Sequence, residues 1–429
     1  MILTIFIVFI SFVSLIIIHE FGHFILAKKF GIKVEEFGIG FPPRLFGKKI
    51  GETIYSLNLL PLGGFVKIYG EDGGIEDYRS FAGKPVWQRY LIILGGVIAF
   101  WIIAIIILSV VAGGWGMPVS ITDETELNNN LVNPRVQVLR VSSDTLAQKA
   151  DIRAGDVMVG FNKVKDFQEF IRENQGEEIS LNIARGNQIL EKQILAAPAV
   201  RIVGLFSDTP AEIYGLMQGD IILNFNSTSA FQEFIKNNQN QEISLDIKRG
   251  EEILSKDIAI KESLGVKIQD DLGGISLVRV ATETYPWYSA PWQGIKNTGH
   301  YTANIVYGWI VMGGWVLGLS ELPEGIEEED MSVMGPVGIF VMLGEFFQMG
   351  PDAFLRLVAL IAVALAMINI LPIPALDGGR MAFLTVEAIR GKPINYKIEQ
   401  KINTAFFVLL ISLIIFITVR FDIPGLLNS

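Results

Sequence analysis

Four stretches of the chain are apolar enough to form membrane helices, at about 2–27, 86–112, 352–371 and 402–420, each close to the roughly 20 residues a helix needs to cross a bilayer. A fifth, Tyr301–Leu319, mixes Gly, Trp and Tyr with aliphatic residues, which suits a membrane surface as well as its interior. Between the second and third stretches the pattern changes. Short β-branched runs (VQVLRV, DVMVGF, EISLNIARG) and the amphipathic FQEFI predict strands and a helix of a compact α+β module. That module occurs twice. Gly155-Asp156 returns as Gly219-Asp220, FQEFI at Phe167–Ile171 returns at Phe231–Ile235, EISL at Glu178–Leu181 returns at Glu242–Leu245, and Arg185-Gly186 returns as Arg249-Gly250, all offset by about 64 residues. Residues Val34–Tyr69 alternate apolar and polar positions with Gly and Pro between them, which predicts β-hairpins. Bare strand edges cannot face lipid, so these hairpins are expected at the membrane surface, or inside it only under protein cover.

The chain thus divides into a first membrane helix (1–27), a membrane-associated β region (28–85), a second helix (86–113), two repeat modules (120–198 and 199–266), a surface amphipathic segment (285–350), a third helix (351–379) and a fourth (402–420). Loop charge orients it: Lys28–Arg89 holds about ten Lys and Arg and Arg380–Lys401 about five, so both loops are expected on the cytoplasmic side. The acidic repeats and both termini then face outward. The first apolar run lacks a basic flank and a small-residue cleavage site, so it is read as a retained span rather than a signal peptide.

Composition narrows the chemistry. Half of the 429 residues are hydrophobic, and a net charge of −10 without a clustered basic face argues against nucleic acid as partner. There are no cysteines, which removes disulfides, thiolate metal sites and cysteine nucleophiles together. Any metal must use His, Asp or Glu.

Against that background IIIHEFGHFIL, Ile16–Leu26, stands out, because it sets His19, Glu20 and His23 inside an apolar span. Histidines four apart share one helix face and can converge on a single ion, with Glu20 beside them. In a soluble helix the pattern also arises by chance. In a span each ionisable group costs about 2.5–3.5 kcal/mol on insertion scales, so three together call for a compensating role. A catalytic zinc takes three protein ligands and leaves a position for water. The leading third candidate is Asp377 in MINILPIPALDGGR, where Pro372 and Pro374 end a helix and two glycines permit a tight turn; alone, such an Asp-Gly equally serves as a turn. A shared ion also requires that Tyr301–Leu319 not cross, since crossing would put Asp377 on the other side of the membrane.

Taken together, HEFGHFILAK, FGIGFPPRLFG followed by LPLGGFVKIYGED, the tandem repeats, SVMGPVGIF and NILPIPALDGG resemble the site-two protease family of intramembrane zinc metalloproteases, of the regulator-of-sigma-E type with two PDZ domains. The resemblance covers nearly the whole chain. It implies a polytopic α-helical membrane protein of four transmembrane helices, with a membrane-associated β-hairpin region and two α+β PDZ-like domains. It further implies Zn2+ held by His19, His23 and Asp377, and Glu20 as general base. Asn369 would by resemblance help hold the substrate strand or the oxyanion, or else simply cap its helix. An edge strand with Gly64, Phe65 and Val66 would pair with the substrate. The loop Ser263, Leu264, Gly265, Val266 resembles one that receives a peptide carboxylate, and the repeats serve either as peptide binders or as a size filter. The implied protein is a monomer of the bacterial inner (cytoplasmic) membrane, its PDZ domains extracytoplasmic, acting on membrane-spanning protein substrates within the lipid bilayer. Relatives often carry GPxxN in the second span; here Gly95-Gly96-Val97-Ile98-Ala99 stands there, without the asparagine.

Overall fold

The computed structural model describes residues 2–71, 77–141, 145–186, 188–196, 198–206, 209–225, 227–249, 252–260, 263–319 and 334–424. The chain opens with α1 (Ile2–Lys29), β1 (Val34–Ile50), β2 (Thr53–Ile68) and α2 (Val86–Gly114). The first repeat then contributes β3 (Met117–Ile121), β4 (Leu131–Val141), α3 (Leu146–Lys149), β5 (Val157–Met158), α4 (Val164–Glu173), β6 (Glu178–Arg185) and β7 (Gln188–Leu195). The second follows with β8 (Pro198–Leu205), α5 (Pro210–Ile213), β9 (Ile221–Ile222), α6 (Thr228–Asn237), β10 (Glu242–Arg249), β11 (Glu252–Ala259) and β12 (Val266–Leu272), after which comes β13 (Ile275–Glu283). Helices return with α7 (Ala290–Val316), α8 (Pro336–Met349), α9 (Pro351–Ile370), α10 (Asp377–Arg390) and α11 (Tyr396–Ile417), the last continuing as a π turn, Thr418–Asp422. The described residues form two compact units, one drawn from 1–115, 286–313 and 332–429, the other from 116–285 and 314–331.

In the helical unit, four helices among the described residues are long and apolar enough to cross a membrane: Leu3–Lys29, Val86–Gly114, Pro351–Ile370 and Tyr396–Asp422. These are the four expected spans. The borderline segment falls in α7 up to Val316, and α7 is not one of them. α7 buries a stripe of small residues, Ala290, Gly294 and Thr298, and lays it on α2: a Cβ on Gly294 would meet Ile105 O at 2.5 Å. Its other faces expose Trp292, Tyr307 and Ile310. The acidic stretch ELPEGIEEED after it lies outside the described residues. Beyond it, α8 is a separate apolar helix of 14 residues, too short to span, so the segment expected as one surface element contains two helices. Asp422 accepts N–H bonds from Gly335 (2.8 Å) and Val337 (3.1 Å), satisfying the open first turn of α8 from the far end of the chain.

α1 and α2 approach each other until their backbones touch. A Cβ on Gly22 would lie 2.2 Å from Gly95 O, and one on Gly95 would lie 2.7 Å from Gly22 O, so this crossing needs glycine on both helices. α9 packs on α2, and its Leu357, Ala359, Ala362, Val363 and Ala366 are buried. α11 buries none of its residues. Within the β region, Phe37–Ile39 pairs with Gly64–Val66 on one side and with Tyr55–Leu57 on the other, leaving 64–66 as an outer segment. α10 was not foreseen, because its charges read as loop.

The second unit contains two sheets of matching order. One runs β11-β10-β9-β8-β12, the other β3-β13-β4-β5-β6-β7. The repeats therefore do not lie end to end: the first sheet takes a near-edge strand, β13, from beyond the second module, which is inserted into it. The reason lies in the loops. Gly274 before β13 packs on Thr145, and Gly265 before β12 packs on Thr209, the residue 64 positions later, so the two loops are structural equivalents.

The repeated dipeptides also find their purpose here. Asp156, buried, takes Arg185 Nε at 2.8 Å and Nη2 at 2.9 Å; Asp220 takes Arg249 Nε and Nη2, both at 2.7 Å. Each module thus closes an ion pair over a core centred on Phe167 or Phe231. Removing one partner of such a pair leaves a buried charge uncompensated and costs about 3–5 kcal/mol.

Beside the first of these pairs, Asp151 binds Lys192 Nζ (2.6 Å), Arg153 Nε (2.7 Å) and Arg185 Nη1 (3.2 Å). Partial burial raises its pKa, but the three cationic donors outweigh burial and hold the carboxyl below the usual range. A depressed folded-state pKa contributes stability that is present above the unfolded value of about 3.9 and is lost as pH falls through the folded one. Asp151→Asn should therefore narrow the difference in thermal midpoint between pH 7 and pH 3. Melting curves of the purified chain at the two pH values measure this, and an unchanged difference would count against the ion cluster.

Candidate metal centre

The site is assembled from three helices. α1 carries His19 and His23 one turn apart on one face, both rings buried. α9 ends at Ile370, the chain turns through 371–376, and α10 starts at Asp377. That turn is tight: a Cβ on Gly378 would meet Leu371 O at 2.0 Å and one on Gly379 would meet Ile373 O at 2.4 Å, so both positions need glycine. Ala375 within it adopts φ 77° and donates its N–H to Asn403 Oδ1 of α11 at 3.2 Å. A left-handed alanine costs about 1–2 kcal/mol, which the surrounding packing and the bond to Asn403 offset.

The result is a triangle of donor atoms. His19 Nε2 and His23 Nε2 are 3.2 Å apart, and Asp377 Oδ2 lies 3.3 Å from the first and 3.4 Å from the second. Tetrahedral zinc with bonds of about 2.0–2.1 Å sets its ligand atoms about 3.3–3.4 Å apart, so the triangle matches one face of such a site. His23 Nδ1 contacts Ile92 O at 2.9 Å, which requires the proton on Nδ1 and turns the Nε2 lone pair toward the other two donors. Asp377 Oδ2 is buried without a hydrogen-bond donor. Lone pairs converging in a poorly solvated place repel unless a cation lies among them. The residues therefore fit a metal ion, and among the described residues the cluster has three members, leaving a fourth position open.

α2 supports the rings from behind. His19 stacks on Phe100 with centroids 4.8 Å apart, and a Cβ on Gly96 would lie 2.5 Å from both His23 Nε2 and His19 Cε1. Gly96, Phe100 and the Ile92 carbonyl were all missed from sequence. Their one signal was the Gly95-Gly96 pair, whose two glycines prove to do different jobs: Gly95 admits α1, and Gly96 admits the imidazoles.

A cavity of about 360 Å³ opens on the cluster, lined among others by Glu20, Phe65, Val66, Asn369 and Arg380. Glu20 Oε2 accepts the Val66 N–H at 3.1 Å, so the outer segment of the β region is bonded directly to the residue between the histidines. Gly64 sits one step back, where a Cβ would fall 3.7 Å from Glu20 Cγ. Asn369 comes from the last turn of α9 and is half-buried. At the cavity wall Arg380 pairs with Glu71, a contact joining α10 to the end of the β region that no spacing in the sequence announced. His300, the remaining histidine, is exposed on α7 and is not part of the cluster. Ser263, Leu264, Gly265 and Val266 belong to the other unit, at the entry to β12; Leu264 is buried there, and Gly265 has φ 79°.

Comparison with known proteins agrees with this chemistry. The family model for Peptidase family M50 matches residues 7–413. A provisionally named zinc metalloprotease of Clostridium perfringens is 30% identical over 414 residues, covering 96% of each chain. The zinc metalloprotease RasP of Geobacillus kaustophilus is 27% identical, over 95% of this chain and 94% of that protein. The regulator of sigma E protease of Haemophilus influenzae is 28% identical, over 95% of this chain and 96% of that protein. With a match from the first span to the last, and end-to-end similarity to zinc metalloproteases of several bacteria, the chain belongs to peptidase family M50, the site-two protease family of zinc metalloproteases.

Proposed function

We propose that this multi-pass bacterial membrane zinc metalloprotease cuts within the transmembrane segments of single-span proteins that another protease has already shortened on the outer side of the inner membrane. Anti-sigma factors and remnant signal peptides are substrates of the right kind, and the relative named regulator of sigma E protease points the same way. One observation carries the reading: His19 and His23 lie within α1, a helix apolar and long enough to span, and meet Asp377 just after the turn that ends α9, a second such helix, so the reaction occurs where a membrane segment can reach it.

His19 Nε2, His23 Nε2 and Asp377 Oδ2 hold the zinc. When bound, zinc polarises a peptide carbonyl and makes water acidic enough to attack near neutral pH. Glu20 takes the proton of the attacking water and passes it to the departing amide nitrogen. Its hydrogen bond from the Val66 N–H fixes the carboxylate toward the cavity. Asn369, on the cavity wall, donates to the developing oxyanion or to the substrate backbone.

A transmembrane helix keeps its carbonyls engaged in its own hydrogen bonds, so a substrate must unwind before it can be cut. Gly64, Phe65 and Val66, the outer segment beside Glu20, offer it a strand partner in exchange. The repeat modules are PDZ-like, lie on the outer side of the membrane and screen what approaches. In support, each has a five-strand order capped by one short and one longer helix, with a glycine loop entering its edge or near-edge strand.

Four variants test this. Glu20→Gln should retain zinc in metal analysis yet lose about 10²- to 10⁴-fold in cleavage of a transmembrane reporter in detergent, and undiminished cleavage would refute the role of Glu20. Asp377→Ala should purify without stoichiometric zinc, whereas His300→Ala should not; full zinc content in Asp377→Ala would remove Asp377 from the ligand set. Gly96→Ala places a methyl against both imidazoles and should weaken zinc retention against a chelator about tenfold or more, with helix content by circular dichroism unchanged.

A further inference from the structure

The two modules of the repeat unit serve as internal controls for each other, and they part company where α3 and α5 end. The first copy is charged there, with Lys149, Asp151 and Arg153. The residues 64 positions on are Ile213, Gly215 and Met217, and Tyr214 stands where the first copy has Ala150. Ile213, Tyr214 and Met217 are 68%, 36% and 53% exposed. Three large side chains with apolar surface, open to water around one short turn, mark a face that a partner covers.

The cations, by contrast, are kept. Arg249 donates Nη2 to Gly215 O at 2.8 Å, as Arg185 donates Nη2 to Asp151 O at 2.6 Å, and each arginine is also tied to the buried aspartate of its own module. Lys256 is the counterpart of Lys192, whose Nζ binds the Asp151 carboxylate at 2.6 Å. Lys256 Nζ lies 3.7 Å from the point where a Cβ on Gly215 would stand, so its ammonium is already in place beside a position that carries no carboxylate. It is half-buried, on the row of β11 that also holds Leu254 and Ile258, and has no ion pair among the described residues.

Elsewhere, divergence between the copies is met from within the chain. Ser227 Oγ caps α6 by accepting the Ala230 N–H at 3.2 Å, and Lys163 gives α4 no such cap. Asp123 makes up that loss by accepting the N–H groups of Val164 (3.0 Å) and Lys165 (2.8 Å). At Gly215 no described residue makes up the missing carboxylate.

We infer that the α5 face of the second module docks a protein segment carrying one Asp or Glu side chain between apolar residues. The carboxylate takes the place that Asp151 holds in the first module, against Lys256 Nζ and Arg249 Nη1, and its apolar neighbours cover Ile213, Tyr214 and Met217. An acidic side chain fits better than a chain end, because exposed apolar residues stand on both sides of Gly215 and the occupant runs on past its carboxylate in both directions. A lipid surface fits worse. Residues 199–266 carry ten acidic side chains against six basic ones, which an anionic bilayer repels. α5 packs on β11, at the opposite edge of the sheet from β12, so this face is separate from the edge beside the Ser263–Val266 loop.

The test uses the full-length Glu20→Gln chain in detergent, so that binding is read without cleavage. The probe is the fluorescein-labelled, C-terminally amidated peptide Ala-Leu-Ile-Glu-Leu-Phe-Ala, compared with its Glu-to-Gln form and with that Gln form ending in a free carboxylate. Fluorescence anisotropy should show saturable binding of the Glu peptide and about tenfold weaker binding of both Gln forms. On Lys256→Met or Gly215→Asp the Glu peptide should likewise bind about tenfold more weakly. An aspartate is tolerated in such a turn, since Asp151 adopts φ 55° where Gly215 has 72°. Gly215→Asp should also slow amide exchange across 211–216 relative to Gly215→Asn, because it brings its own carboxylate to Lys256. Equal binding of the Glu and amidated Gln peptides, undiminished binding by either variant, or equal exchange in the Asp and Asn variants would each overturn the inference. Binding of the free-carboxylate Gln form as tight as that of the Glu peptide would put a chain end in the site and overturn the side-chain assignment. In nanodiscs containing phosphatidylglycerol, a photo-crosslinker at 214 should capture the Glu peptide; capture of lipid there would assign the face to the membrane instead. Absence of binding to every form would remove the site.

Discussion

Everything in the helical unit turns on three electron-donating atoms held within about one zinc-ligand spacing of each other, away from water. Left alone, two imidazole lone pairs and a carboxylate oxygen at 3.2–3.4 Å repel, and a poorly solvated surrounding makes that repulsion worse. A cation among them reverses the sign. The helix arrangement follows from that need: α1 must bring both histidines to α2, and the 371–376 turn must bring Asp377 back to α1. Backbone contact at Gly22 and Gly95, ring contact at Gly96, and the glycines after Asp377 are the points at which any side chain would hold these parts too far apart.

The same economy appears around Glu20. Its carboxylate is bonded to the backbone of the β region at Val66, and Arg380 on α10 reaches Glu71 just past the end of that region. The β region is therefore tied to the site from both sides, through the residue between the histidines and through the helix that begins with Asp377. A substrate strand docking on Gly64–Val66 would arrive already positioned relative to Glu20, which is how backbone pairing converts binding into orientation.

In the repeat unit, duplication has kept one architecture and changed its details. The pairs Asp156–Arg185 and Asp220–Arg249 are repeated faithfully because each module needs its own buried charge neutralised. The helix caps are not repeated, Ser227 standing where the first copy has Lys163. A position that diverges while its structural need persists points to a partner that meets the need, and in the first module that partner is Asp123.

Much of this was legible in the residues alone. The four spans follow from apolar length, the histidine pair from its four-residue spacing, and the duplication from identical short runs, because each is read from residues close together in the chain. What lay beyond reach was whatever depended on parts distant in sequence. Gly96 looked like one half of a packing pair, α10 looked like a charged loop, Glu71 and Arg380 gave no sign of each other, and nothing near 275–283 announced that it completes a sheet begun before residue 142. Sequence by itself determined which residues could carry metal chemistry and which stretches could enter lipid. Only the tertiary structure decided that His19, His23 and Asp377 share a point in space and that β13 returns from beyond the second module to complete the first sheet, since those outcomes depend on long-range packing that no local pattern encodes.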